Sequence, residues 1–124
     1  MKSIDPLLNR KYDANKYHCV HFVIDAAKYL FGADYSKHFL GLTGTVNESL
    51  NASRHNFRQA RRLDKPIDGC VVLMTNLLNE SHVGLFYCQH VLHLSEQGAL
   101  FQTLRTLDRH YSRFRFYEAQ NISE

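Results

Sequence analysis

At 124 residues the chain is the size of one domain and long enough to bury a core without metal or disulfide staples. Hydrophobic residues at 44% and charged residues at 22% exclude a disordered chain, and a formal charge of +3 is too slight to specify nucleic acid. Three cysteines without regular spacing argue against a disulfide framework and for a reduced state.

Residues 1–16 are polar and irregular, with Pro6, Asp13 and Asn15 as turn formers. They contain no apolar signal core, and no later run approaches the ~20 apolar residues of a membrane span, so the sequence predicts cytoplasmic synthesis, no export signal and no span. Tyr12, just ahead of the first helix, either lines a cleft or packs the segment down.

Residues 17–31 carry the stripe of a helix buried on one side: Cys19, Phe22, Val23, Ala26 and Leu30 face inward, and His21, Asp25 and Lys28 outward. Gly32 supplies the left-handed exit. Cys19 therefore falls in the first turn, where free N–H groups and the helix dipole favour a thiolate.

Residues 33–44 read as a loop. The stretch 45–63 reads as a second helix, with Leu50, Phe57 and Ala60 inward and Arg54, Arg58, Arg61 and Arg62 forming a solvated basic face. Pro66 and Gly69 end this half.

The composition then turns to β. Residues 70–74 form a continuous apolar run expected of a central strand, followed by strands at 83–88 and 91–95 joined by a turn at Gln89-His90. Cys70 and Cys88 lie in these apolar runs as small hydrophobes. A fourth strand is expected at 99–103, a helical connection at 104–111, a closing strand at 114–117, and a loose end at 119–124. Helices first and an antiparallel sheet afterwards predict a single α+β domain over 1–124, its N-terminal helices packed on one face of a C-terminal sheet.

A nucleophilic thiol needs a base, and the base needs a group to orient it. Cys19 is the candidate nucleophile and His82, opening a strand, the candidate base. With the turn at Gln89-His90, Phe86 opposes His93, so His93 shares a face with His82 but lies some 13 Å along the strand. On that register Gln97 opposes His82 and stands as the reserve orienter. A zinc site from Cys88, His90 and His93 is disfavoured because His90 at the turn tip points away, and Cys19 and His21 at i, i+2 do not share a helix face. No metal and no cofactor are expected.

Tyr12, then Tyr17-His18-Cys19 opening an apolar helix, Asp68-Gly69 leading Cys70 to Met74, His82-Val83-Gly84 and Val91-Leu92-His93 come in an order that resembles the NlpC/P60 cysteine peptidases. The likeness is nearest to the small versions encoded with phage tails and prophages, and it extends from Tyr12 to Tyr117. It implies a papain-like α+β fold, with Cys19 as nucleophile, His82 as base, His93 as orienter and Tyr12 as a cleft residue. It also implies hydrolysis of peptidoglycan stem peptides, commonly between D-γ-glutamate and a diamino acid. Phage-tail proteins follow as partners, with placement in a virion or delivery to the wall by an injection apparatus.

The chain departs from that pattern in three places. His18 stands where an Asp or Asn commonly caps the helix, Val20 and His21 replace small residues, and Asp68-Gly69 replaces Gly-Asp. Two other roles suit the same residues: a tail-assembly or adaptor module with an inactive cleft, and an acyltransferase or deamidase using the same thiol–imidazole chemistry. Lipid-acting relatives commonly place the histidine before the cysteine, the reverse of the order here.

Overall fold

The computed structural model describes residues 2–14, 16–36 and 61–118. Most of the expected loop and second helix over 33–60, and the expected loose end at 119–124, lie outside the described residues. After a single 3-10 turn at Asp5–Leu7 come helix α1 (Cys19–Phe31) and strands β1 (Arg61–Leu63), β2 (Val71–Thr75), β3 (Ser81–Tyr87), β4 (His90–Ser95) and β5 (Gly98–Gln102). A short helical turn, α2 (Leu104–Leu107), leads to β6 (Arg113–Glu118).

The strands form one six-stranded sheet in the order β1-β6-β2-β3-β4-β5, with every neighbouring pair antiparallel. Among the described residues no helix is long and apolar enough to cross a membrane.

This corrects the expected fold class. The described domain is small and mainly β, a single sheet with one long helix, and not a papain-like α+β fold with N-terminal helices. Two local readings failed for a tertiary reason. Arg61, Arg62 and Leu63, read as the end of a basic helix, pair with Glu118, Tyr117 and Phe116 as an edge strand, and Arg61 adds a 3.3 Å ion pair to Glu118. The connection expected over 104–111 is helical for only four residues, because Leu107 and Tyr111 turn inward against the sheet.

Helix α1 starts at Cys19 because both histidines beside it act as caps. His18 has an extended backbone (φ −108°), and its Nδ1 accepts the Val20 N–H at 3.2 Å. His21 Nδ1 accepts the His18 N–H at 3.2 Å, which completes a reciprocal capping box. His18 thus caps the helix from the position where Asp or Asn commonly does. An imidazole Nδ1 sits as far from its Cβ as the side-chain oxygen of Asn, so it can do the same job. Gly32, at φ 64°, closes the helix with its N–H on the Ala27 and Lys28 carbonyls. His18→Asn, which keeps a capping oxygen, is expected to cost less stability than His18→Ala, which loses the cap together with a fully buried ring, as read from urea denaturation midpoints.

Alternation along the strands makes two cores. Val71, Leu73, Val83, Leu85, Leu92, Leu94 and Tyr117 pack with Cys19, Phe22, Val23 and Ala26 of α1. On the other face Cys70, Val72, Met74, Phe86, Val91 and Leu107 are buried together, flanked by Tyr111, Phe114 and Phe116. The β3–β4 turn is Cys88-Gln89, one residue earlier than expected. Both residues have positive φ (51° and 65°), the form that suits the twist of a two-residue hairpin. Asp68 Oδ1 accepts the Cys88 N–H at 3.0 Å, and His90 stacks on Phe101 with centroids 4.4 Å apart, which draws His90 into β4. Cys88 thus belongs to the turn rather than to a strand.

Candidate active site

The shifted turn changes which histidines meet. It pairs Phe86 with Val91 and Leu85 with Leu92, and continuing that register sets His93 across from Gly84, only two residues from His82. Nε2 of His82 then lies 2.9 Å from Nδ1 of His93, with the rings edge to face at 5.0 Å. The separation expected from the earlier register is gone.

Gly84 makes room for this. A Cβ there would fall 2.5 Å from Val91 Cγ1 and 3.1 Å from both His93 Cβ and the Leu92 carbonyl oxygen. Only a residue without a side chain lets β4 approach so closely.

A third group extends the chain of contacts. Nε2 of His93 lies 2.8 Å from Oε1 of Gln102, a residue that sequence reasoning did not single out. The reserve candidate Gln97 instead occupies the β4–β5 turn, where its backbone N–H bonds Ser95 Oγ. The signal for Gln102 was present: a turn ahead of Gly98 pairs Ser95 with Gly98 and His93 with Leu100, which puts Gln102 on the imidazole face.

Cys19 occupies the first position of α1, with no exposed surface. It sits on the helix side of the sheet, whereas alternation sends His82 and His93 to the other side. Cys19 shares its core with Val83, the residue that follows His82 in β3. No hydrogen bond joins Cys19 to either imidazole among the described residues. The structure therefore brings His82, His93 and Gln102 into contact and leaves Cys19 on the helix side of β3, in the same core as Val83.

A cleft of about 440 Å³ opens at this end of the sheet, lined by Tyr12, His82, Ser95, Gln97 and Tyr111 among others. Among the described residues its charged lining is Glu80 and Glu96. Tyr111 stacks on His82, rings nearly parallel with centroids 6.0 Å apart. Burial, then the charges of Glu96, Cys19 and Asp13, pushes the Tyr12 hydroxyl above its usual range; burial, then Cys19 and Glu80, does the same for Tyr111.

Burial dominates the titration of the site. It pushes the Cys19 thiol up to about 12, against the lowering effect of the backbone at Val83, Cys19 and Val20. It pulls His82 down to about 3, with the neighbouring His93 adding to the shift. His93 is lowered by burial too, opposed by its bond to Gln102. At neutral pH the resting site is a protonated thiol beside two neutral imidazoles.

Stability should follow from these shifts. Below the ordinary histidine value of 6.5 the unfolded chain takes up a proton that folded His82 refuses until about 3, so stability falls as pH falls through that window. The slope is up to ~1.4 kcal/mol per pH unit per histidine. Above pH 9.0 the unfolded chain loses a thiol proton that folded Cys19 keeps until about 12, so stability falls again. Urea titrations across pH should show a plateau between the two windows, and His82→Phe should flatten the acid limb.

No family model matches the chain, and no curated protein is similar to it.

Proposed function

We propose that the protein is a cysteine-dependent amide hydrolase that acts on peptidoglycan stem peptides, with Cys19 as nucleophile and His82 as base. The observation that carries this reading is the hydrogen-bonded run His82–His93–Gln102, whose His82 end lines a cleft, with the helix-start Cys19 buried on the other side of β3. Buried histidine pairs are a costly way to hold a core together, since both rings give up water for one mutual bond. The order of the motifs, which resembles that of the NlpC/P60 cysteine peptidases, points the same way.

The chemistry divides among these residues. His82, neutral at rest, takes the thiol proton as substrate arrives, and the sulfur attacks the amide carbonyl. Backbone N–H groups at the start of α1, that of Cys19 among them, can bind the developing oxyanion. The imidazolium of His82 returns the proton to the amine nitrogen as the C–N bond breaks, and water, deprotonated by the same imidazole, then releases the acyl group and restores the Cys19 thiol. Attack requires a movement that uncovers the sulfur and turns it to the imidazole, because the resting thiol has no exposed surface. Glu80 and Glu96 suit a substrate segment carrying an ammonium group, as a diamino acid does.

Incubating the protein with purified sacculi and identifying released peptides by mass spectrometry tests the proposal. Release by the native protein and none by Cys19→Ala is the expected result; no release by either ends it.

The burial of Cys19 favours a second reading, a non-catalytic tail or adaptor module. Iodoacetamide labelling separates the two. In free protein the half-exposed Cys88 should label well before Cys19. An enzyme should show faster Cys19 labelling once wall fragments are added, and a structural module should show no change.

A further inference from the structure

We propose that Gln102 is a positioning residue that sets the proton arrangement of both imidazoles and leaves Nδ1 of His82 as the bare nitrogen at the cleft. A carboxamide oxygen can only accept a hydrogen bond, so the 2.8 Å contact with Gln102 Oε1 places a proton on Nε2 of His93. A neutral imidazole carries one proton, so Nδ1 of His93 is then an acceptor. The 2.9 Å contact from that Nδ1 in turn requires the proton of His82 to sit on its Nε2. His82 Nδ1 is left with a lone pair, and no other tautomer pair satisfies both contacts with this orientation of the amide.

The fold supports such a role. Gln102 is the last residue of β5, paired with Val91, and it sits on the imidazole face one diagonal step from His93. Burial keeps both rings neutral at pH 7, so a fixed tautomer, rather than a mixture of charge states, is what this end of the sheet can store. With Gln102 replaced by an apolar side chain, Nε2 of His93 has no acceptor, and the two rings can exchange donor and acceptor roles.

The role of Nδ1 as catalytic base rests on the hydrolase reading, whereas the proton arrangement does not. The test is long-range proton–nitrogen NMR correlation on isotope-labelled protein at neutral pH, which reports which ring nitrogen carries the proton. The native protein should show protonated Nε2 and bare Nδ1 on both His82 and His93. Gln102→Glu, which still accepts, should keep that order, and Gln102→Met, which keeps the length but not the acceptor, should lose the single tautomer. A native spectrum with the proton on His82 Nδ1, or a folded Gln102→Met protein with the native pattern, overturns the proposal. If Gln102→Met does not fold, the native spectrum together with Gln102→Glu decides it. Sacculi left intact by a protein with the expected tautomers would remove the hydrolase reading and leave this one standing.

Discussion

Replacing Cys19 with alanine should lower peptide release from sacculi by roughly 10⁴-fold or more while leaving the fold in place. The sulfur is the only atom lost, from a position with no exposed surface against Phe22, Val23 and Val83, so the cost in stability should be about 1 kcal/mol. Capping does not depend on Cys19, because the side-chain bonds that start the helix run between His18, Val20 and His21. His82→Ala should be comparably inactive, since it removes the imidazole that lines the cleft. An alanine variant that digests sacculi as well as the native protein would make Cys19 a core residue and withdraw the nucleophile.

Gly84→Ala should damage both stability and the site. The new methyl would lie 2.5 Å from Val91 Cγ1, the end of a short branched side chain with little freedom to swing away, and 3.1 Å from a backbone oxygen of Leu92. Relief requires β4 to move off β3, at a cost of about 1–3 kcal/mol. Because His93 Cβ lies 3.1 Å from the same methyl, that movement also stretches the contact between His82 and His93. A lower urea midpoint together with loss of the paired-imidazole NMR signature is the expected outcome. A stable variant with the imidazole pair intact would show that the strands have slack at this point.

Local patterns carried much of the chain. The stripe from Cys19 to Leu30 with Gly32 behind it corresponds to α1 and its left-handed exit, and the unbroken apolar run after Cys70 corresponds to β2, buried at every residue in the middle of the sheet. The sequence missed where a hairpin turned by one position and what that brought together. Gln89-His90 and Cys88-Gln89 are equally short turns, and neither contains the glycine that would have distinguished them. Choosing between them took the Asp68 carboxylate on the Cys88 N–H and the stacking of His90 on Phe101, both contacts between residues distant in the chain.

By itself the sequence determined what repeats over a few residues: the amphipathic helix, the alternating strands, the histidine at the head of β3 and the cysteine at the head of α1. Tertiary structure alone decided that Arg61 to Leu63 join the sheet as an edge, that His93 meets His82, and that Gln102 completes the run. It also put Cys19 and the imidazoles on opposite faces of β3, with the sulfur sealed from solvent. The physical reason is one of range. Periodicity and caps act within a turn or a strand, whereas register, burial and the titration they impose depend on which distant segments share a surface.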